Sequence, residues 1–269
     1  MRQQSILARL LASAALTAIL AAGLGGCQTM SDVTGSLSPK TTTSPDSDPR
    51  RAVEVTGERY RADPKNAEAA LAYGQALRVA GQRAQAAALL EQATIAHPGD
   101  KALLAGYGRA LADNGNFQQA LDVLSRAHSP DNPDWRILSV QGTALDQLGR
   151  HDEARRYYAS ALKIVPDEPS VLSNLGLSYV LSKNLPKAEE VLRQAYASGR
   201  ADARVRQNLA LAIGLQGRFA EAEQIVRADL PADEAAANVA YLKQMLSRKD
   251  DPRMGAAGKM PVASLNRPE

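Results

Sequence analysis

Small and apolar residues recur along residues 52–230 with one long period. Glycine stands at every thirty-fourth position from Gly74 to Gly176, and Ala210 takes the next place in that series. Alanines from Ala86 to Ala222 form a second series with the same step, and a large apolar side chain follows each of them four positions later. Several series in one phase indicate an internal repeat. Small residues at fixed places let packed elements approach closely, so the pattern predicts stacked units of one size.

Turn signals occur in the same phase. A glycine follows each member of the first series by seven positions, except in the fourth unit, where Lys183 stands in its place. Glycine there supplies a turn conformation that residues with a β-carbon resist. Pro64, Pro98 and Pro166 fall near the ends of units, and each would stop a helix before the next one begins.

These series resemble the tetratricopeptide (TPR) repeat. The resemblance implies an all-α fold, a TPR solenoid of antiparallel helix pairs in which each repeat has a helix A and a helix B and the helices A line the inner, concave face. The phase places repeats at 67–100, 101–134, 135–168, 169–202 and, shortened, 203–230 of the 67–230 array. Residues 49–66 are in phase with a helix B alone, which predicts a half repeat at the front.

The segment 231–248 predicts a last helix. Pro231 ends the fifth repeat early, and Asp233 opens an amphipathic stretch. Its residues Ala236, Val239, Ala240, Leu242 and Leu246 are spaced to cover the end of the solenoid. We therefore expect a C-terminal capping helix at 231–248, followed by a disordered tail at 249–269.

The first 26 residues have the pattern of a signal peptide. Arg2 and Arg9 precede an uncharged run from Leu10 to Leu24, which is shorter than the roughly 20 residues that span a bilayer as a helix. Small residues follow the run, as at a signal cleavage site. A secreted, soluble periplasmic protein with an ordinary cleavage site would carry the same pattern.

The residues Leu24-Gly25-Gly26-Cys27 resemble a bacterial lipobox. The resemblance implies cleavage before Cys27 and acylation of this residue, so that lipid anchors the protein to a membrane. Gln28 after the cysteine resembles the outer-membrane default of Gram-negative cells, which implies the periplasmic face of the outer membrane. The Ser-, Thr- and Pro-rich residues of 27–48 predict a flexible tether.

Composition removes several classes of function. Cys27 is the one cysteine in the chain, so a disulfide framework or a multi-cysteine metal site is excluded. The formal charge of +3 includes Arg2 and Arg9, and it falls to +1 without them, which gives no reason to expect nucleic acid. The histidines stand at different repeat positions, and no phosphate-binding glycine motif is present. We expect no enzyme, no metal, no cofactor and no small-molecule substrate.

The inner face predicts where a protein partner binds. Counted from the start of each repeat, positions 2, 5, 9, 12 and 13 should face inward. In repeats 1 to 3 they form a mixed polar face with Glu68, Gln75, Arg78, Arg109, Asp113, Arg136, Thr143 and Asp146. In repeats 4 and 5 they become an apolar strip, and an exposed apolar strip is typical of a binding groove.

The predicted groove consists of Asn174, Leu177, Val180, Leu181, Arg204, Gln207, Asn208, Leu211 and Leu215. Two points stay open. The strip either receives a partner or is covered by the 233–248 helix of the same chain. Position 6, held by Asn174 and Asn208, serves in TPR proteins either to hold a ligand backbone or to bond the neighbouring helix. A carboxylate clamp of the chaperone-binding type is disfavoured, because position 9 carries no asparagine.

The C-terminal part resembles one family in particular. The stretches SNLGLSYVLSKNLPKAEEVLRQA, RVRQNLALAIGLQGRFAEAEQIVRADLP and AAANVAYLKQML, within residues 165–247, are similar to the TadD family of tight-adherence (Flp, type IVb) pilus assembly. The resemblance implies a non-enzymatic, pilotin-like lipoprotein that assists localisation or assembly of the pilus secretin, with the secretin or other pilus components as partners. The alternative is a periplasmic TPR adaptor for an envelope protease or a peptidoglycan hydrolase.

Replacing Cys27 by Ser tests the lipid anchor. The substitution removes the thiol that would be acylated, so the protein should move from the membrane fraction to the soluble fraction of fractionated cells. Retention of Cys27→Ser in the membrane fraction would contradict the anchor.

Overall fold

A computed structural model describes residues 48–129 and 131–249 of the 269-residue chain. The predicted signal peptide, the acylation site at Cys27, nearly all of the 27–48 tether and the tail beyond residue 249 lie outside the described residues. Within the described ranges the regular structure is helical, and no β-strand is present. No described helix combines the length and the apolar character that crossing a bilayer requires.

The described residues form twelve helices. They are α1 Pro49–Ala62, α2 Ala67–Val79, α3 Arg83–Ala96, α4 Lys101–Asp113, α5 Phe117–Ala127, α6 Trp135–Gln147, α7 His151–Ile164, α8 Pro169–Leu181, α9 Leu185–Ala197, α10 Ala203–Leu215, α11 Phe219–Val226 and α12 Ala232–Lys249. Helices α2, α4, α6, α8 and α10 are the helices A of the five repeats, and α3, α5, α7, α9 and α11 are the helices B. Helix α1 is the predicted half repeat.

Side chains at the starts of the helices A fix where these helices begin. Asn66 accepts a hydrogen bond from the Ala69 N–H at 2.9 Å, Asp100 accepts from the Leu103 N–H at 3.0 Å, and Asp202 accepts from the Val205 N–H at 2.9 Å. Such caps satisfy amide groups that have no partner inside the helix. Most helices B lack this cap, and their position depends instead on the turn before them and on packing.

The turn between helices A and B keeps one backbone form even where its glycine is replaced. Lys183 adopts a positive φ of 63°, in the same left-handed region as the glycines at the equivalent positions, whose φ values are 75° to 85°. In both kinds of turn the next residue bonds back to helix A: the N–H of Asn184 donates to the Tyr179 carbonyl at 2.9 Å, as the N–H of Gln82 does to that of Leu77. A lysine in the left-handed region costs roughly 1 kcal/mol relative to glycine, and the packing of the repeat offsets that cost.

Helices A and B of a repeat meet at the predicted small residue. A β-carbon added at Gly176 would lie 2.4 Å from Cγ of Leu192, and one added at Gly142 would lie 2.5 Å from Cε1 of Tyr158. Both large side chains are almost fully buried. The two helices therefore touch with no space for a methyl group between them, which confirms the packing that the glycine series predicted.

The same helix–helix contacts recur along the whole array. Every helix packs against the helix before and after it, and each helix A also contacts the helix A of the next repeat, whereas successive helices B do not contact each other. This arrangement is a TPR solenoid and confirms the predicted fold class. Helix α12 contacts both α10 and α11, so it occupies the place of a sixth helix A.

Asp146 does not face inward as its repeat position predicted; it is 7% exposed. Its carboxylate accepts hydrogen bonds from Ser178 Oγ at 2.7 Å, Tyr158 OH at 2.9 Å and His151 Nδ1 at 2.8 Å. Burial raises the pKa of Tyr158 above its ordinary value, so this hydroxyl remains a donor. The buried carboxylate is thus bonded from α7 and α8, and it joins three consecutive helices.

Replacing Gly176 by Ala tests the helix contact. The new methyl group would overlap Leu192, and overpacking of this kind lowers the free energy of unfolding by about 1–3 kcal/mol. In a Leu192→Ala background the overlap disappears, so Gly176→Ala should cost clearly less there. Urea unfolding of the parent, the two single variants and the double variant measures the cost of Gly176→Ala in each background. An equal cost in the two backgrounds would contradict the contact.

Candidate protein-binding site

An apolar groove lies between α10, α11 and α12 at the C-terminal end of the solenoid. Its volume is about 430 Å³. It is lined by Gln207, Ala210, Leu211, Ala222, Val226, Asn238, Val239, Tyr241, Leu242 and Met245. Gln207 and Asn238 are its polar lining residues, so an occupant would bury mainly apolar surface there.

The predicted groove residues have three different placements. Gln207 and Leu211 line the apolar groove. Leu177 and Leu215 are half-buried outside its lining, and Val180 is half-buried against the core cluster that contains Leu192 and Leu209. Leu181 and Arg204 are exposed. The structure therefore brings together two of the predicted repeat-5 residues, Gln207 and Leu211, and adds α12 to them.

Asn174 and Asn208 bond neighbouring helices. Asn174 Nδ2 donates to Ser139 Oγ at 3.1 Å, and Asn208 Nδ2 donates to Ser173 Oγ at 2.9 Å. Each bond joins one helix A to the helix A before it. Of the two roles that the sequence left open for position 6, the structure shows the bond to the neighbouring helix.

Helix α12 extends the inner face and leaves its repeat-4 part uncovered. No Cα atom of α12 lies within 8 Å of a Cα atom of α8, and the Leu181 side chain of α8 is 45% exposed. Leu242 of α12 fills the space beside α10, where a β-carbon on Gly214 would lie 2.6 Å from Leu242 Cδ2. The helix closes the core of the fifth repeat and leaves the groove beside it open.

Tyr241 and Met245 are groove residues that the sequence analysis missed. Their side chains are 63% and 48% exposed. The signal was present, because Tyr241 stands 34 positions after Gln207 and Met245 stands 34 positions after Leu211. Extending the repeat phase by one step, past the shortened fifth repeat, would have placed both on the inner face.

An ion pair holds the start of α10 beside the groove. Arg206 Nε donates to Asp229 Oδ2 at 2.7 Å, and Arg206 also donates to the Ala201 carbonyl at 2.7 Å. The hydrogen bond from Arg206 holds the pKa of the Asp229 carboxyl below its usual value. Because Asp229 follows α11, this pair ties together two of the three groove elements.

The described residues contain no candidate metal site. Within 48–129 and 131–249, no three His, Cys, Asp or Glu side chains are grouped so that they could hold a metal ion. The groove itself carries no cationic or anionic lining residue. Its chemistry is that of a surface for apolar side chains.

Stacked helix pairs with a groove on the face of the helices A define a helical-repeat protein of the type that binds other proteins. Models of the tetratricopeptide repeat match residues 77–142, 139–203 and 203–228. Together these ranges cover more than half of the chain, and the chain belongs to the tetratricopeptide-repeat proteins. No curated protein sequence matches it.

Solved structures share the fold at low sequence identity. PilW, a widely conserved type IV pilus biogenesis factor, is 21% identical with a TM-score of 0.61, over 71% of this chain and 90% of PilW. The thermophilic TPR protein TTC0263 of Thermus thermophilus is 23% identical with a TM-score of 0.58, over 66% of this chain and 100% of that protein. A chain of the APC/C hetero-tetramer Cut9–Hcn1 is 17% identical with a TM-score of 0.59, over 73% of this chain and 40% of that one. The chain thus spans about two fifths of that last relative.

Replacing Asn208 by Ala tests the structural role of position 6. The change leaves the buried Ser173 hydroxyl without its donor, which should lower the free energy of unfolding by about 1–3 kcal/mol. Binding of a partner to the folded protein should not change. Loss of partner binding at unchanged stability would instead assign Asn208 to the ligand.

Proposed function

We propose that this protein binds an apolar, helical segment of a partner in the groove between α10, α11 and α12, and that it does so as an outer-membrane lipoprotein that assists assembly of a tight-adherence pilus secretin. The observation that carries the proposal is the open apolar groove at the end of the solenoid. The pilotin-like role and the location rest on the sequence resemblances.

The exposed apolar residues of the groove favour a protein ligand. Tyr241 and Met245 expose about half or more of their side chains beside Leu211. Burying apolar surface gains roughly 25 cal/mol per Å², and methionine adapts its shape to irregular partners. An amphipathic helix that inserts residues at three- and four-residue spacing would match a groove of this form.

Three observations support a role in pilus assembly. Residues 165–247 resemble the TadD family, and nearly all of α10 to α12, which carry the groove, lies in this region. PilW, which shares the fold, is a type IV pilus biogenesis factor. The lipobox-like residues before Cys27 imply a membrane anchor, which would raise the concentration of the groove at the membrane where a secretin inserts.

Met245→Glu tests the groove and the pilus role together. A charge in the apolar groove should oppose burial of the partner segment, so cells that produce Met245→Glu should lose secretin multimers from the outer membrane, as cells without the protein should. Ile95→Glu is the matched control, because Ile95 is a 66% exposed apolar residue on helix α3. Thermal unfolding of both variants should remain close to that of the parent.

The outcomes separate the two levels of the proposal. Unchanged secretin multimers in the deletion strain would exclude the pilotin-like role. If the protein then co-purifies with an envelope protease or a peptidoglycan hydrolase, and Met245→Glu abolishes this, the groove stands and the adaptor alternative is correct. If neither partner depends on Met245, the groove proposal is wrong.

A further inference from the structure

A second pocket lies on the inner face of the first three repeats, distant in sequence from the apolar groove. Its volume is about 320 Å³, and α2, α4, the end of α5 and α6 contribute to its lining. Its polar lining includes Gln75, Lys101, Arg109, His128 and Asp134. We call it the basic pocket, because Lys101 and Arg109 line it and Asp134 is its one acidic lining residue.

Arg109 is the residue around which the basic pocket is built. It projects from the middle of α4 and is half-buried. Its guanidinium forms no ion pair and no hydrogen bond within residues 48–129 and 131–249. Burial lowers the pKa of Arg109, and the charges of Arg78 and Arg136 lower it further, although Asp134 and Asp113 act in the opposite direction. The fold thus keeps a desolvated cation with other cations near it.

The carboxylates near Arg109 already have partners. Asp113 Oδ2 accepts a hydrogen bond from Arg78 Nε at 2.7 Å, and Asp134 Oδ1 accepts from the backbone N–H of Arg136 at 2.7 Å, where it caps α6. Arg78 and Arg136 act on Arg109 as like charges, and Lys101 also lines the pocket. Neither aspartate bonds to Arg109, so the guanidinium of Arg109 stays available to a ligand.

An unsatisfied polar atom lies in the same wall. His128 Nε2 is 3.3 Å from Oε1 of Gln141, whereas His128 Nδ1 is buried and has no hydrogen-bond partner in the part of the chain that the structure describes. A buried polar atom without a partner is uncommon, but this atom is closed off from solvent and does not face the open part of the pocket. The evidence for a ligand in the pocket is therefore the half-buried Arg109 guanidinium, which has no partner within the described residues.

We propose that the basic pocket binds the side-chain carboxylate of an acidic segment in a protein partner, with Arg109 as the anchoring residue. The guanidinium presents a planar fork of donors that matches a carboxylate in two parallel hydrogen bonds. The apolar lining from Leu71, Ala105 and Ile137 suits the methylene groups of a glutamate and small apolar neighbours. The pocket lining holds two basic side chains, Lys101 and Arg109, fewer than a nucleic-acid backbone engages, which favours an acidic peptide.

A peptide selection tests the basic pocket without knowledge of the partner. A phage-displayed library of random dodecapeptides is selected on the full chain in mild detergent. Asp and Glu should be enriched in peptides selected on the parent and on Met245→Glu, and the enrichment should disappear on Arg109→Glu. Arg156→Glu is the matched control, because Arg156 is an exposed arginine on helix α7.

Binding measurements with one selected peptide complete the test. In fluorescence anisotropy, replacing its glutamates by glutamines, or Arg109 by Ala, should each weaken binding about ten-fold or more, with a melting temperature close to that of the parent. Arg109→Lys, which keeps the charge, should bind better than Arg109→Ala.

Three results would overturn the proposal. They are selection of peptides without acidic enrichment on the parent, selection of the same peptides on Arg109→Glu, and tighter binding of a single-stranded oligonucleotide than of the peptide. The basic pocket and the apolar groove are tested with separate variants. Met245→Glu tests secretin assembly and Arg109→Glu tests binding of acidic peptides, so either proposal can be contradicted while the other holds.

Discussion

The contact between a glycine on helix A and a large side chain on helix B determines the geometry of this solenoid. At Gly74, Gly108, Gly142 and Gly176 the partner side chain lies where a β-carbon would otherwise be. This close approach fixes the distance between the two helices of a repeat, and the repeat length then fixes where the next helix A lies. The inner face is consequently a row of helices A, and its chemistry depends on which side chains occupy a few positions of each. Binding surfaces arise here from substitutions on a constant backbone.

The inner face divides into two chemically distinct parts along that backbone. The basic pocket of repeats 1 to 3 contains Arg109, whose charge is not neutralised by a direct partner within the described residues. The apolar groove contains Leu211, Tyr241 and Met245. Apolar burial supplies affinity with little direction, whereas a carboxylate on Arg109 would supply orientation and register. A partner with both an apolar helix and an acidic side chain would bind more tightly than a partner with an apolar helix alone.

The repeat period made most of the fold predictable from the sequence, and the exceptions have physical causes. Lys183 broke the glycine series, yet the turn kept its form, because its backbone hydrogen bonds and the packing of α8 on α9 are unchanged. Asp146 was expected on the inner face, but its three donors come from residues 5 to 32 positions away, and no periodic pattern contains that information. Tyr241 and Met245 were missed because Pro231 suggested that the phase had ended. The role of Asn208 could not be decided from sequence, because it depends on the distance to Ser173.

Helix α12 occupies the place of a sixth helix A with a shortened step in the sequence. Successive helices A of the five repeats begin 34 residues apart, whereas α12 begins 29 residues after α10, and its Leu242 packs at Gly214. The short fifth repeat therefore shifts α12 by five residues relative to the 34-residue step. Among the described residues α12 has no helical neighbour other than α10 and α11, so this one helix forms the outer wall of the apolar groove.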